Sequence, residues 1–183
     1  MRRGLRLPRP PLPRFAVAWF PRLEGIDAIE AFRARHDPMA SLIPAHVSLV
    51  FPFGTALKRL QVETHVRRVV ARWPAIPVSF RAVRMEANEF VFLMASRGAE
   101  AIVGLHDALY TRSLRPHLRP EFSYAPHITI ARYREPDRVE AALEEARDAF
   151  GREMTGVIRE VELLTVAPDG RIERLSRLPL DSA

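Results

Sequence analysis

The chain has 183 residues, no cysteine and a formal net charge of +6. Disulfides, thiolate nucleophiles and cysteine-ligated zinc are therefore excluded, and no run of about eighteen apolar residues offers a membrane span. At 48% hydrophobic and 27% charged, the composition suits a soluble globular protein with one core, or two small halves sharing one. A monomer in a reducing cytoplasm is the expectation. A basic balance favours polyanionic partners, nucleic acid above all. Lys58 is the only lysine, however, and an arginine-rich coding bias produces the same charge.

Residues 1–13 are basic and proline-rich and lack the apolar stretch of a signal peptide. They read as a loose N-terminal arm, leaving residues 14–183 as a single domain. Phe15 to Phe20 reads as a buried strand between Pro13 and Pro21, and Asp27 to His36 as a helix stopped by Pro38. Ala45 to Phe51 is the next strand, ended by Pro52-Phe53-Gly54. Leu57 to Trp73 has helical spacing at Leu60, Val62, Val66, Val69 and Val70. Pro77 to Met85 and Glu89 to Ala95 form a β-hairpin around Glu86-Ala87-Asn88. Ala99 to Leu114 reads as a helix with Ile102, Leu105 and Leu109 inward, and Ala125 to Tyr133 as a strand. Glu135 to Phe150 reads as a helix opened by Pro136. Gly156 to Val166 and Arg171 to Leu178 complete the chain as a hairpin around Asp169-Gly170.

This order, β-α-β-α-β-β-α-β-α-β-β, repeats itself in outline. Strand, helix, strand, helix, hairpin is followed by helix, strand, helix, hairpin. The expectation is an α+β fold of two similar lobes, each with its own antiparallel sheet, helices on the outer faces and a cleft between.

Two segments stand out. His46-Val47-Ser48-Leu49 and His127-Ile128-Thr129-Ile130 both read His, apolar, hydroxyl, apolar, and lie 81 positions apart, about one half-repeat. Side chains alternate along a strand. Each segment therefore sets an imidazole beside a hydroxyl on one face and anchors them with two core residues on the other. Facing one cleft, the pair supplies two proton-transfer groups near neutrality and two hydroxyl donors for non-bridging phosphate oxygens. That set suits a phosphodiester. Either histidine can be the acid, the other the base.

Arg132 and Tyr133 follow the second motif. Strict alternation turns Arg132 away from His127 unless the strand ends or bulges, whereas Tyr133 has the parity to share its face and stack on a base. Phe51 and Phe53 have the parity of core residues. His36, His65, His106 and His117 lack the partners of a metal or catalytic motif and read as structural or solvated.

With both motifs and this element order, the chain resembles the two-histidine phosphoesterase superfamily, most nearly its 2′-5′ RNA ligase-like branch, across about residues 14–180. The family signature is two His-x-Thr/Ser-x motifs about eighty residues apart in a bilobal fold; Ser48 stands where threonine is commoner. The resemblance implies a cyclic phosphodiesterase that needs no metal, ATP or other cofactor. Members of the family open 2′,3′-cyclic phosphates on RNA ends or nucleotides to 2′-phosphates, and some reversibly join RNA ends through 2′-5′ bonds. His46 and His127 would be catalytic, Ser48 and Thr129 phosphate-binding, and Arg132 a substrate contact. Two alternatives stay open: an RNA-binding module of the same fold with little activity, and a cyclic phosphodiesterase acting on a small metabolite.

Overall fold

The computed structural model describes residues 12–121 and 123–181. The expected arm therefore lies almost entirely outside the described residues. Eight strands and four α-helices follow one another: β1 (Arg14–Trp19), α1 (Ile26–His36), β2 (Val47–Gly54), α2 (Arg59–Val70), β3 (Ile76–Glu86), β4 (Phe90–Ala95), α3 (Ala99–Leu109), β5 (His127–Arg132), α4 (Pro136–Ala149), β6 (Met154–Ile158), β7 (Glu160–Val166) and β8 (Ile172–Pro179). They build two four-stranded antiparallel sheets, ordered β2-β1-β7-β8 and β5-β4-β3-β6. The expected α+β class and paired sheets are present.

The lobes are not successive halves of the chain. The stretch expected to be one strand, Gly156 to Val166, divides at Arg159 into β6, which pairs with β3, and β7, which pairs with β1. The first sheet is thus closed by the final hairpin, and the hairpin β3–β4 belongs wholly to the second. Its second strand, β4, plays the part that β1 plays in the first sheet, pairing with the motif strand through an intervening helix. No Gly or Pro marks Arg159, but the polar pair Arg159-Glu160 shifts the apolar parity from Ile158 to Val161 and Leu163, and that shift is the one trace of the division in the sequence.

Three smaller differences have local causes. β2 continues through Pro52 to Gly54 because it is an edge strand, where a missing N–H is tolerated. The helix expected to reach Leu114 stops at Leu109; Arg112 has φ +47, and a 3-10 turn, Arg112–His117, carries Leu114 into the core out of α-helical phase. Leu60, expected inward, is 72% exposed at the first turn of α2.

One continuous apolar cluster joins both sheets. Val17 and Trp19 of β1, Val47 and Leu49 of β2, Phe80 of β3, Leu93 of β4, and Ile128 and Ile130 of β5 are all nearly fully buried in it, and Trp19 stacks on Phe80 across the sheets with ring centroids 6.3 Å apart. α2 packs on β7 and β8, and α4 on β3 and β4. The other two helices cross over: α1 packs on β5 and α3 on β2, so each motif strand is braced by a helix of the opposite half.

Candidate active site

Both motif strands lie at a sheet edge, and both carry the same irregularity. In β2, Ser48 pairs with Ala18 but Val50 pairs with Val17, which makes Leu49 an extra residue. In β5, Thr129 pairs with Phe92 but Ala131 pairs with Val91, which makes Ile130 extra. Such a bulge resets alternation. Leu49 and Val50 are both buried, as are Ile130 and Ala131. The reset brings Arg132 out beside Thr129 rather than opposite it. Its guanidinium lies 5.0 Å from the Phe90 ring centroid and is held by Glu89 at 2.7 Å. Glu89 sits in the β3–β4 turn, where Ala87 and Asn88 take φ of 53° and 51°.

The same reset takes Tyr133 away from the motif face. Its hydroxyl donates to the Arg35 carbonyl at 3.3 Å and contacts His36 Nδ1 at 2.9 Å. It is not brought to the cleft.

His46, Ser48, Thr129 and Arg132 line one cavity of about 240 Å3, with Ala16, Ala18 and Leu164 of the first sheet as an apolar wall. His127 lies on the Thr129 face of β5, its ring stacked on Phe92 at 3.6 Å and 14°. The two histidines are held by one device. His46 Nδ1 is 2.8 Å from the carbonyl of Pro44, and His127 Nδ1 is 2.7 Å from the carbonyl of Ala125, in each case two residues back. A carbonyl only accepts, so Nδ1 carries the hydrogen in both rings and Nε2 is the nitrogen left for proton transfer. Burial lowers the pKa of His46 from 6.5 to about 4, partly opposed by the Pro44 bond; the charges of Arg33 and His127 act in the same direction as burial. Burial also lowers His127, with Arg84 adding to the effect.

A buried ion pair organises the approach to His46. Arg33 of α1 is 1% exposed and donates to Asp37 at 2.8 and 3.1 Å and to the Ile43 carbonyl at 2.9 Å. Glu30 accepts from the Ala45 N–H at 2.7 Å, and Asp37 accepts from the Met39 N–H at 2.9 Å. The segment 39–45 is thereby fixed to α1 immediately before the histidine. The i,i+4 spacing of Arg33 and Asp37 is legible in the sequence, but nothing in the spacing announces that the pair is buried.

A second brace joins the two motifs. The Tyr124 hydroxyl donates to the Ser48 carbonyl at 2.8 Å, while the adjacent Ala125 carbonyl holds His127. Tyr124 stacks on His106 at 3.7 Å and 4°, and His106 Nδ1 donates to the Leu49 carbonyl at 2.9 Å. Tyr110 accepts from the Phe51 N–H at 3.0 Å. Side chains thus satisfy the outer edge of β2 in place of another strand. His106 is structural in this setting, and so is His65, whose Nε2 bonds the Leu109 carbonyl at 2.9 Å near the end of α3. Phe51 is half-buried against His106 and Tyr124, whereas Phe53 is buried beside Phe15 and His117. Among the described residues, no group of three His, Cys, Asp or Glu side chains is placed to hold a metal ion, and no helix is long and apolar enough to cross a membrane.

Two edge strands, each with a histidine and a hydroxyl on one face, define a bilobal two-histidine fold; His46, Ser48 and Thr129 line the cavity, while His127 lies outside its lining but near enough for its charge to act on His46. The chain belongs to the 2′-5′ RNA ligase superfamily, whose profile matches residues 20–169, and this places it among the phosphoesterases. A Geobacillus thermodenitrificans protein named as a candidate phosphoesterase is 28% identical over 171 residues, covering 90% of this chain and 87% of its own. A Bacillus licheniformis protein named in the same way is 25% identical over 126 residues, 64% of this chain and 70% of its own. Among solved structures, a protein of Thermus thermophilus superposes with a TM-score of 0.64 at 18% identity, covering 93% of this chain and 100% of that one. LigT of E. coli does so with 0.60 at 19% identity, covering 93% and 98%; these two likenesses concern the fold. LigT has also been crystallised with 3′-AMP and with phosphate.

Proposed function

We propose that the protein is a cyclic phosphodiesterase that opens 2′,3′-cyclic phosphates to 2′-phosphates with His46 and His127 as its proton-transfer pair. The observation that carries this reading is the matched tautomer: both rings are pinned through Nδ1, on opposite lobes, with Nε2 free. Water attacks phosphorus opposite the departing 3′ oxygen. One histidine, neutral, takes the proton from water at Nε2; the other, protonated, gives its Nε2 proton to O3′ as the P–O3′ bond breaks. The new P–O bond leaves a 2′-phosphomonoester. Ser48 and Thr129 donate to the non-bridging oxygens, where charge accumulates, and the Arg132 guanidinium offers a fork to the same group.

His46, with the pKa near 4, is held neutral above that pH by its burial, which suits it to the base's role. The cavity is smaller than the roughly 300–1,000 Å3 that encloses a drug-sized ligand. At about 240 Å3 it suits a phosphoribose with the base and the rest of the chain outside. The nucleotide and phosphate complexes of the E. coli relative support a nucleotide phosphate as substrate.

The test is incubation of EDTA-treated protein with a 2′,3′-cyclic mononucleotide, followed by phosphorus NMR. A 2′-phosphate whose formation needs both histidines is the expected result. A 3′-phosphate would contradict the regiochemistry, and turnover undiminished in His46→Ala or His127→Ala would contradict the mechanism.

A further inference from the structure

A proline stands at a different place ahead of each histidine. The first motif opens as Pro44-Ala45-His46, the second as Ala125-Pro126-His127. In both, Nδ1 donates to the carbonyl two residues back. That carbonyl shares one planar peptide unit with the nitrogen of the residue just before the histidine. At His46 this nitrogen is the Ala45 N–H, which donates to Glu30 Oε1 at 2.7 Å. At His127 it belongs to Pro126, which has no N–H to give. A single peptide thus joins the Glu30 carboxylate to His46 Nδ1 through bonds of 2.7 and 2.8 Å. The matching peptide at His127 ends in a proline ring.

The placing of Glu30 is the work of α1. The residue is half-buried, and its second oxygen accepts from Arg33 Nη1 at 3.2 Å. Arg33 is itself anchored by Asp37 and the Ile43 carbonyl. Both carboxylate oxygens are therefore fixed, one on the peptide and one on the buried guanidinium.

We propose that Glu30 is a positioning residue for His46, acting through the Pro44–Ala45 peptide to hold the ring and strengthen it as a base, with no counterpart at His127. The inference rests on the phosphodiesterase reading and concerns what tunes one of its two histidines. Hydrogen bonds in a chain polarise one another, and one that ends on a carboxylate is charge-assisted. A peptide whose N–H is held by an anion has a more negative carbonyl oxygen. When Nε2 takes the proton from water, positive charge spreads over the ring and Nδ1–H becomes a stronger donor. The Pro44 carbonyl answers that charge, and Glu30 stands behind it. No proton moves along the chain: Nδ1 and the Ala45 nitrogen keep theirs. The Pro44 bond already opposes the effect of burial on His46.

Two variants separate this relay from simple charge. Glu30→Gln keeps an oxygen for the Ala45 N–H and removes the charge. Glu30→Asp keeps the charge and draws it back by one methylene. Arg33, Asp37 and His127, the other charges that act on His46, remain in both. Isotope-labelled full-length protein is followed by NMR at both histidines, with melting curves to confirm folding. In both variants the His46 Nδ1–H proton should move upfield at neutral pH. The His46 titration midpoint should fall by about half a unit or more, and His127 should stay where it is. On a 2′,3′-cyclic nucleotide, kcat should fall about three- to tenfold with KM within about twofold. An unmoved His46, or equal shifts at both histidines, would overturn the proposal. So would a Glu30→Asp variant that matches wild type, since charge alone would then account for Glu30→Gln. Should one variant fail to fold, the other still has to move His46 and spare His127. The NMR readouts need no turnover. Failure to open any cyclic phosphate would therefore count against the catalytic reading alone.

Discussion

Tyr124→Phe isolates one atom of the brace between the two motifs. The ring and its stack on His106 at 3.7 Å remain; only the hydroxyl that donates to the Ser48 carbonyl at 2.8 Å is lost. Burial raises the pKa of this phenol, so it is a donor throughout the working range. Leaving a half-buried carbonyl unpaired costs about 1–2 kcal/mol. For a chain of this size that lowers Tm by roughly 2–8 °C. The functional effect is separate. Ser48 is the residue whose carbonyl is released, and its hydroxyl and His46 belong to one half of the site, while Ala125 beside Tyr124 holds the other. Loosening the join lets the halves drift, and a misplacement of about 1 Å is worth up to about a hundredfold in rate. The expected outcome is a fall in kcat of about tenfold or more on a 2′,3′-cyclic nucleotide with KM little changed. Tyr110→Phe is the matched control: it removes a comparable bond to the same edge, at the Phe51 N–H, and should lower Tm without the kcat penalty. If Tyr124→Phe melts early yet keeps its kcat, or if the two variants lose kcat equally, the brace does not position the motifs.

His46→Ala and His127→Ala should each reduce turnover of a cyclic phosphate by about two to four orders of magnitude, and Ser48→Ala or Thr129→Ala by about ten- to a thousandfold, all measured as initial rates. The pH profile of kcat/KM should be a bell centred on the acid side of 6.5. The base must be deprotonated and the acid protonated, and both rings have lowered pKa values in the free protein; an optimum above pH 7.5 would contradict this. Because folded His46 binds its proton less readily than the unfolded chain does, its contribution to stability is full above pH 6.5 and is lost as pH falls towards 4. The loss is at most about 3 kcal/mol and smaller in so far as solvent reaches the ring; His46→Asn should flatten that part of a stability–pH curve. Asp37→Asn leaves the Arg33 guanidinium, 1% exposed, without its main counter-charge, and should cost about 3–5 kcal/mol in denaturant unfolding. A loss under 1 kcal/mol would show that Glu30 and the Ile43 carbonyl suffice.

The sequence by itself determined the local pieces. Prolines and periodicity set nearly every helix and strand within a few residues, and alternation was enough to put His46 beside Ser48 and His127 beside Thr129, with Val47, Leu49, Ile128 and Ile130 in the core. These are short-range consequences of side-chain direction along one strand. Only the tertiary structure decided where that direction is reset. The bulges at Leu49 and Ile130 exist because two strands of fixed register must be matched, and no residue type in either motif announces them. They exchange the expected places of Arg132 and Tyr133. The division at Arg159, the crossing of α1 and α3 to the opposite motif strands, and the bracing by Arg33 and Tyr124 are likewise long-range matters. They depend on pairing partners scores of residues away, whereas periodicity records only which way a side chain points relative to its neighbours.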